Sequence, residues 1–223
     1  MKQDLINTLL LGTAFLALFG TAEWLYHKQQ VRAEFTRKFV HIGTGLLTLL
    51  FPLLLGNHWL VLLLCSSFLI ILLLSLKYKL LPSINAIDRD SVGSIAYPIA
   101  VYGAYLAYDH YGKQYIHFYL PILILAICDP VAALLGKKWP WKPFTIGSAH
   151  KTLSGSLGFL ISAIVLCLVF APSINTGMSF MQIGVRVLLI AALATLAEAV
   201  SGKGYDNISV PAIVMITLIA TEP

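Results

Sequence analysis

The sequence predicts an all-α, polytopic integral membrane protein with about eight transmembrane helices. Of its 223 residues, 58% are hydrophobic and only 11% are charged, and the mean hydropathy is +0.83. Soluble domains usually contain about 45–50% apolar and about 25% charged residues. The composition therefore excludes a soluble globular enzyme, a disordered chain and a nucleic-acid-binding protein. We expect a single integral-membrane domain over residues 1–223.

Eight apolar segments are candidates for membrane-spanning helices. A helix needs about 20 apolar residues, with a range of about 17–25, to cross about 30 Å of hydrocarbon. The fourth and eighth segments are short by this measure. The predicted spans are residues 5–25, 39–55, 59–76, 93–108, 117–135, 157–171, 185–200 and 208–221.

Basic residues are distributed unevenly over the seven connections between these spans. Most of the 15 lysine and arginine residues lie on the first, third, fifth and seventh connections. Lysine and arginine favour the cytoplasmic side of a membrane. The pattern predicts that these connections face the cytoplasm and that both termini face outward. In a prokaryote the membrane would be the cytoplasmic membrane.

The three cysteines lie inside apolar segments and lack C-x-x-C spacing. We therefore predict neither a disulfide framework nor a zinc site. Cys65, Cys128 and Cys167 are expected to be small apolar core residues.

Carboxylates lie within or at the ends of apolar spans. Asp129 is late in the fifth span, Glu198 is near the end of the seventh, and Asp206 precedes the eighth. An ionised carboxylate inside a span costs at least a few kcal/mol unless it is paired or bound to a metal. Mg²⁺ prefers oxygen ligands and is usually held by one or two carboxylates together with substrate phosphates. We predict a hard-cation site at these three residues, with helix-packing ion pairs as the alternative.

The fifth connection carries residue types that bind phosphate. A helix beginning at Ser154-Gly155-Ser156 would offer free backbone N–H groups to an anion, and Lys151 and Thr152 would add a charge and a hydroxyl. The segment is not a Walker A loop, because the residue before the lysine is a histidine rather than glycine. A solvated interfacial loop is the alternative.

Two further polar clusters lie on the same side. Arg37, Lys38 and His41 open the second span, and His41 lies about one turn inside an apolar helix. Basic residues beside a membrane commonly set topology or attract anionic lipids. A second polar cluster, at residues 88–91, precedes the fourth span.

Together these motifs resemble the polyprenol kinase family, which includes dolichol kinase, phytol kinase and CTP-dependent diacylglycerol kinase. The resemblance covers residues 37 to 211, which is most of the chain. Its motifs are Arg37-Lys38-x-x-His41, Asp129-Pro130-x-Ala132-x-x-x-Gly136-Lys137, Lys151-Thr152-x-Ser154-Gly155-Ser156 and Glu198 followed by Asp206-Asn207-x-x-x-Pro211.

The resemblance implies a single catalytic domain that transfers the γ-phosphate of CTP to a lipid alcohol, with Mg²⁺ or another divalent cation. The active site would face the cytoplasm. Many relatives have an acidic residue where this chain has Ser154, so no metal binding is assigned there. The general base stays open between Asp129, Asp206 and His41. The implied catalytic residues are Asp129, Lys151, Asp206 and His41, and the metal would bind Asp129, Glu198 and Asp206. The nucleotide would contact Lys137, Lys138, Lys151, Thr152, Ser154, Gly155, Ser156 and Asn207. The lipid would contact Arg37, Lys38 and His41.

Two other functions stay open at this point. Phosphatidate cytidylyltransferase shares the Asp…Gly-Lys…Lys-Thr-x-x-Gly-Ser arrangement, but it transfers the α-phosphoryl group of CTP to a lipid phosphate. The short chain and the Arg-Lys-x-x-His and Asp-Asn-x-x-x-Pro elements favour the kinase. A transporter or a non-catalytic scaffold is the third possible function. Transporters place substrate-binding charges near the bilayer midplane, whereas the charges of this chain gather at one interface. The lipid and the oligomeric state stay open.

Overall fold

A computed structural model describes residues 2–86, 92–174 and 177–222. These residues fold into helices with one short β-hairpin, which confirms the all-α prediction. The polar cluster at residues 88–91 lies outside the described residues. The elements are α1 Lys2–His27, α2 Ala33–Thr48, α3 Phe51–Leu54, α4 His58–Lys77, α5 Pro82–Asn85, α6 Gly93–His110, α7 Ile116–Leu123, a π-helical turn Ile124–Cys128, α8 Asp129–Lys138, β1 Pro143–Ile146, β2 Ala149–Thr152, α9 Leu153–Val169, α10 Ala171–Ile174, α11 Phe180–Val200 and α12 Asp206–Ala220.

Each predicted apolar segment overlaps one of these helices. In the described part of the chain, five helical segments are long and apolar enough to cross a membrane, whereas α9 and α12 have 17 and 15 residues. The count of eight spans and their orientation therefore stay predictions. The five long segments are Lys2–His27, Ala33–Leu54, His58–Lys77, Ile116–Lys138 and Phe180–Val200.

The outer surface of the helices is apolar. Leu9, Leu10, Trp59, Ile161 and Val169 are all exposed. Soluble monomers rarely expose contiguous apolar surface of this kind. In a bilayer, the same side chains face lipid tails that are as apolar as they are.

The fifth span lies at the centre of the protein. Its residues Leu120, Ile122, Ile124 and Leu125 are fully buried. One face packs with α9, α11 and α12, and another packs with α1, α4 and α6. The central helix therefore divides the core into two apolar clusters.

The central helix changes pitch just before Asp129. Pro130 has no N–H to donate, and its ring crowds the carbonyl four residues earlier, at Ala126. The chain accommodates the proline with the π-helical turn Ile124–Cys128. Such turns are frequent at functional sites, and this one directly precedes a predicted site residue.

The hairpin packs its turn against the connection between α11 and α12. Strands β1 and β2 are antiparallel, with Ile146 opposite Ala149, and the turn contains Gly147 at φ +56°. A Cβ atom added to Gly202 would lie 2.5 Å from the Ser148 Oγ atom. Glycine at position 202 thus allows the hairpin to approach the end of α11 closely.

Gly45→Ala should destabilise the protein, because α2 approaches the central helix closely at this position. The new Cβ atom would lie 2.4 Å from the Ala126 Cβ atom, which no rotamer change can move. Overpacking of this kind typically costs about 1–3 kcal/mol. We expect a lower apparent melting temperature in detergent. Gly103→Ala in α6 is the matched control, since nothing lies within 4 Å of its added Cβ atom. Equal melting temperatures for the two variants would contradict the prediction.

Candidate active site

A buried ion-pair cluster joins the hairpin to the last two helices. The Lys151 Nζ atom lies 2.5 Å from Glu198 Oε1 and 3.5 Å from Asp206 Oδ2. The side chains of Lys151, Glu198 and Asp206 are 18%, 4% and 15% exposed, respectively. They come from β2, from the end of α11 and from the start of α12, so the cluster depends on the tertiary structure.

Asp129 and His41 complete the cluster. The Asp129 carboxylate interacts electrostatically with Lys151 and with Asp206, and His41 also interacts with Asp206. The structure thus brings together five predicted site residues from α2, α8, β2, α11 and α12.

The cluster contains more carboxyl groups than basic side chains. Burial alone lowers the pKa of the Lys151 ammonium, but the neighbouring carboxylates outweigh it, so this pKa lies above its usual value. Lys151 is therefore protonated at neutral pH and compensates one of three carboxylates. The Glu198 Oε2 atom is buried and has no hydrogen-bond partner among the described residues. Uncompensated buried charge is costly, and a divalent cation would reduce that cost.

The predicted metal ligands supply the right chemistry but do not form a preassembled site. Within residues 2–86, 92–174 and 177–222, no three His, Cys, Asp or Glu side chains are close enough together to hold a metal ion. The Lys151 ammonium lies between Glu198 and Asp206 instead. Carboxylate oxygens are the ligands that Mg²⁺ prefers, so Asp129, Glu198 and Asp206 fit such an ion as donors.

His41 is oriented by the π-helical turn. Its Nε2 atom lies 3.1 Å from the Leu125 carbonyl oxygen, and its ring meets the Tyr97 ring edge-on at 5.2 Å. Because a carbonyl oxygen can only accept, Nε2 must be the protonated nitrogen in this hydrogen bond. In the neutral imidazole, Nδ1 is then free to accept a hydrogen bond.

The predicted phosphate loop uses much of its polar chemistry to begin α9. The Thr152 hydroxyl is the N-cap and accepts a hydrogen bond from the Gly155 N–H at 3.1 Å. Ser154 donates from its hydroxyl to the Trp139 carbonyl at 2.5 Å. N-cap residues satisfy the N–H groups at a helix start in this way. Ser156 differs, because its Oγ atom is buried without a hydrogen-bond partner in the described part of the chain.

Gly155 also has a packing role. An added Cβ atom would lie 3.0 Å from the Ala132 carbonyl oxygen, which is tighter than ordinary contact. The residue therefore lets α8 and α9 approach each other closely. Phosphate binding at Thr152, Ser154 and Gly155 stays a prediction.

Lys137 and Lys138 interact away from the cluster. Lys137 forms a partly exposed salt bridge with Glu34 of α2. The Lys138 ammonium lies over the Trp139 ring, 4.5 Å from its centroid. The structure does not bring either lysine into contact with Lys151.

Asn207 and the predicted lipid contacts lie on the α2 side of the cluster. The Asn207 amide donates to the Gly93 carbonyl at 2.8 Å, which ties α12 to the start of α6. Together with Arg37 and His41, Asn207 lines one end of an apolar cleft. Lys38 lies within electrostatic reach of Glu34.

The remaining cleft residues come from apolar helices and were not predicted from the sequence. Aromatic side chains such as Phe15, Phe19, Phe68 and Tyr97 contribute to its wall. No signal in the sequence distinguishes them, because a side chain that lines a cleft and one that faces lipid are equally apolar.

Lys151→Met should strongly destabilise the protein in metal-free buffer. It removes the ammonium from among three carboxylates, and breaking a buried pair costs about 3–5 kcal/mol. Adding Glu198→Gln to this variant should restore part of the loss, because it removes one buried negative charge. Thermal unfolding in detergent measures both effects.

The control is Lys113→Met, which breaks an exposed pair with Asp109. Exposed pairs contribute about 0–1 kcal/mol. If the Lys151→Met and Lys113→Met variants were equally stable, the cluster would not contribute to the stability of the fold.

Comparisons with known proteins identify a similar enzyme. A phytol kinase from Synechocystis sp. is 29% identical over 206 residues, which cover 91% of this chain and 85% of that protein. No family model matches the chain, and no solved structure matches it. The phytol kinase similarity confirms the resemblance to the polyprenol and phytol kinase family that the sequence motifs predict.

Proposed function

We propose that this protein is a lipid-alcohol kinase that transfers the γ-phosphate of CTP to a membrane alcohol, with Mg²⁺ or another divalent cation. One observation carries the proposal: the Lys151 cluster lies beside the polar end of an apolar cleft. A kinase acting on a lipid needs both features, because one substrate is a polyanion and the other is a hydrocarbon. The similar phytol kinase supports the same class of reaction.

Lys151 is the residue best placed to neutralise the transferred phosphoryl group. Phosphoryl transfer depends mainly on positioning and on stabilising charge over the phosphate oxygens. A protonated lysine held among carboxylates can exchange one carboxylate partner for a phosphate oxygen. Asp129, Glu198 and Asp206 would hold the divalent cation, which supplies further neutralisation of the phosphates when bound.

His41 is suited to receive the acceptor hydroxyl. Its Nε2–H is held by the Leu125 carbonyl, so Nδ1 can accept the hydroxyl proton. His41 also lines the cleft and interacts with Asp206. Asp129 and Asp206 are the alternative bases, but a carboxylate that binds the cation is less able to accept a proton.

Positional labelling of the nucleotide tests the reaction. The purified protein is given phytol and Mg²⁺ with CTP labelled at the γ- or the α-phosphate. The proposal expects γ-label in the lipid product and CDP as the by-product. A parallel reaction with phosphatidate, in which α-label entered the lipid and pyrophosphate was released, would replace the kinase with a cytidylyltransferase. A protein that bound no CTP and produced neither product would favour the transporter or scaffold.

Asp129→Asn and Asp206→Asn should each lower turnover by at least about 100-fold, because each removes charge that orders the cation and phosphates. The fold should persist, since each change preserves side-chain size. Asp109→Asn is the matched control, because Asp109 forms a partly exposed salt bridge with Lys113 near the end of α6. Initial rates and melting temperatures are measured together. Near-normal rates in both site variants would remove the carboxylates from the mechanism.

A further inference from the structure

The segment that joins α8 to the hairpin exposes two tryptophans beside two lysines. Trp139 and Trp141 are 53% and 54% exposed. The Lys138 ammonium lies 4.5 Å from the centroid of the Trp139 ring. The Lys142 ammonium lies 5.2 Å from the centroid of the Trp141 ring. Exposing large apolar rings to water is unfavourable, whereas tryptophan is favoured at a membrane interface because its ring is apolar and its N–H is polar. We call residues 138–142 the tryptophan–lysine segment.

The apolar outer surface of the bundle leads to this segment. Leu134 precedes Lys138 by four residues, so the two exposed side chains lie on one face of α8. On α9, which packs against α8, Leu157 and Ile161 are exposed and lie one turn apart. The surface thus changes from aliphatic side chains to tryptophan and lysine where α8 ends. A bilayer leaflet changes in the same order, from acyl chains to head groups.

The two lysines lie in a stretch of chain without acidic residues. Residues 130–197 contain neither aspartate nor glutamate. Within residues 2–86, 92–174 and 177–222, no salt bridge includes Lys138 or Lys142, whereas the neighbouring Lys137 pairs with Glu34. The two ammonium groups can therefore take an anion from outside the protein. Beside a bilayer, anionic phospholipids concentrate negative charge at the level of the head groups.

Hydrogen bonds fix the tryptophan–lysine segment to the elements that carry the site. The carbonyls of Trp141 and Lys142 both accept from the Leu153 N–H at the start of α9, at 3.1 and 3.2 Å. Two residues after Lys142, Phe144 lies opposite Lys151 in the hairpin. The position of the segment therefore bears directly on the position of the Lys151 ammonium.

We propose that the tryptophan–lysine segment is a docking surface for anionic phospholipid, with its two rings at the head-group boundary and its two ammonium groups on lipid phosphates. A second part rests on the proposed function: docking holds the hairpin so that Lys151 meets the nucleotide, and CTP use therefore depends on lipid charge. Nucleotide contact at Lys138, which the sequence predicts, is the competing assignment.

Quenching of tryptophan fluorescence by brominated lipid tests the docking without any nucleotide. Trp24→Phe and Trp59→Phe, both at exposed positions, leave Trp139 and Trp141 as the emitting tryptophans. The protein is reconstituted in phosphatidylcholine vesicles with about 20% of either phosphatidylglycerol or phosphatidylcholine brominated on its acyl chains. We expect at least about twofold stronger quenching by phosphatidylglycerol, since each lysine near an anionic surface favours such lipids about fivefold. Equal quenching by both lipids, or none by either, would overturn the proposal.

Removing the two charges should abolish this preference. In the same background, Lys138→Gln/Lys142→Gln should be quenched equally by both lipids and should keep its melting temperature, since both side chains are exposed. Lys2→Gln/Lys113→Gln is the matched control, because it removes the same net charge from the side of the membrane that the basic residues predict to be outward. If the first variant kept the preference, or the control lost it, the lysines of the segment would not be its source.

Initial rates separate lipid docking from nucleotide contact. With phytol and Mg²⁺, wild-type kcat/KM for CTP should be at least about threefold lower in pure phosphatidylcholine than with phosphatidylglycerol present, and Lys138→Gln/Lys142→Gln should show the lower value in both. A raised KM for CTP with the lipid dependence intact would assign the lysines to the nucleotide and overturn the proposal. Equal wild-type rates in both lipids would overturn the coupling to Lys151. If the wild type is inactive in every lipid yet shows the expected quenching pattern, the kinase assignment fails and the docking surface stands.

Discussion

The ion pair between Lys151 and Glu198 is the interaction on which the site depends. It joins the hairpin before α9 to the end of α11, and Asp206 at the start of α12 shares the same ammonium. In a poorly solvated environment neither a lone ammonium nor a lone carboxylate is tolerated. The elements that carry these charges must therefore meet, so the contacts that stabilise the fold also assemble the proposed phosphate-binding site.

The central helix connects this charged cluster to the cleft. Pro130 imposes a π-helical turn, and the Leu125 carbonyl of that turn accepts the hydrogen bond from His41 on α2. Gly45 lets α2 approach the same turn closely. Asp129 follows directly. One local change of helix pitch thus places a carboxylate toward the cluster and a histidine at the end of the cleft.

Under the proposed function, the arrangement would keep a water-soluble nucleotide and a membrane lipid in separate environments. Charged side chains from β2, α11 and α12 gather at one end of the bundle, while aromatic and aliphatic side chains line the cleft beside it. The proposed nucleotide would stay in water and the proposed lipid chain in hydrocarbon, and only the reacting groups would need to meet. His41 and Asn207, which line the cleft next to Asp206, mark that boundary.

The sequence by itself determined the helical class, because apolar segments of membrane-spanning length can satisfy their backbone groups only within helices or closed barrels. It also singled out Asp129, Glu198 and Asp206, since a carboxylate in an apolar span is costly without a partner. The tertiary structure decided which partner Glu198 takes, because Lys151 is distant in sequence and reaches it only through the hairpin. It also assigned Thr152 to capping and formed the cleft. Periodicity could reveal neither, because the same hydroxyl can cap or bind phosphate and the same phenylalanine can face a neighbour or lipid.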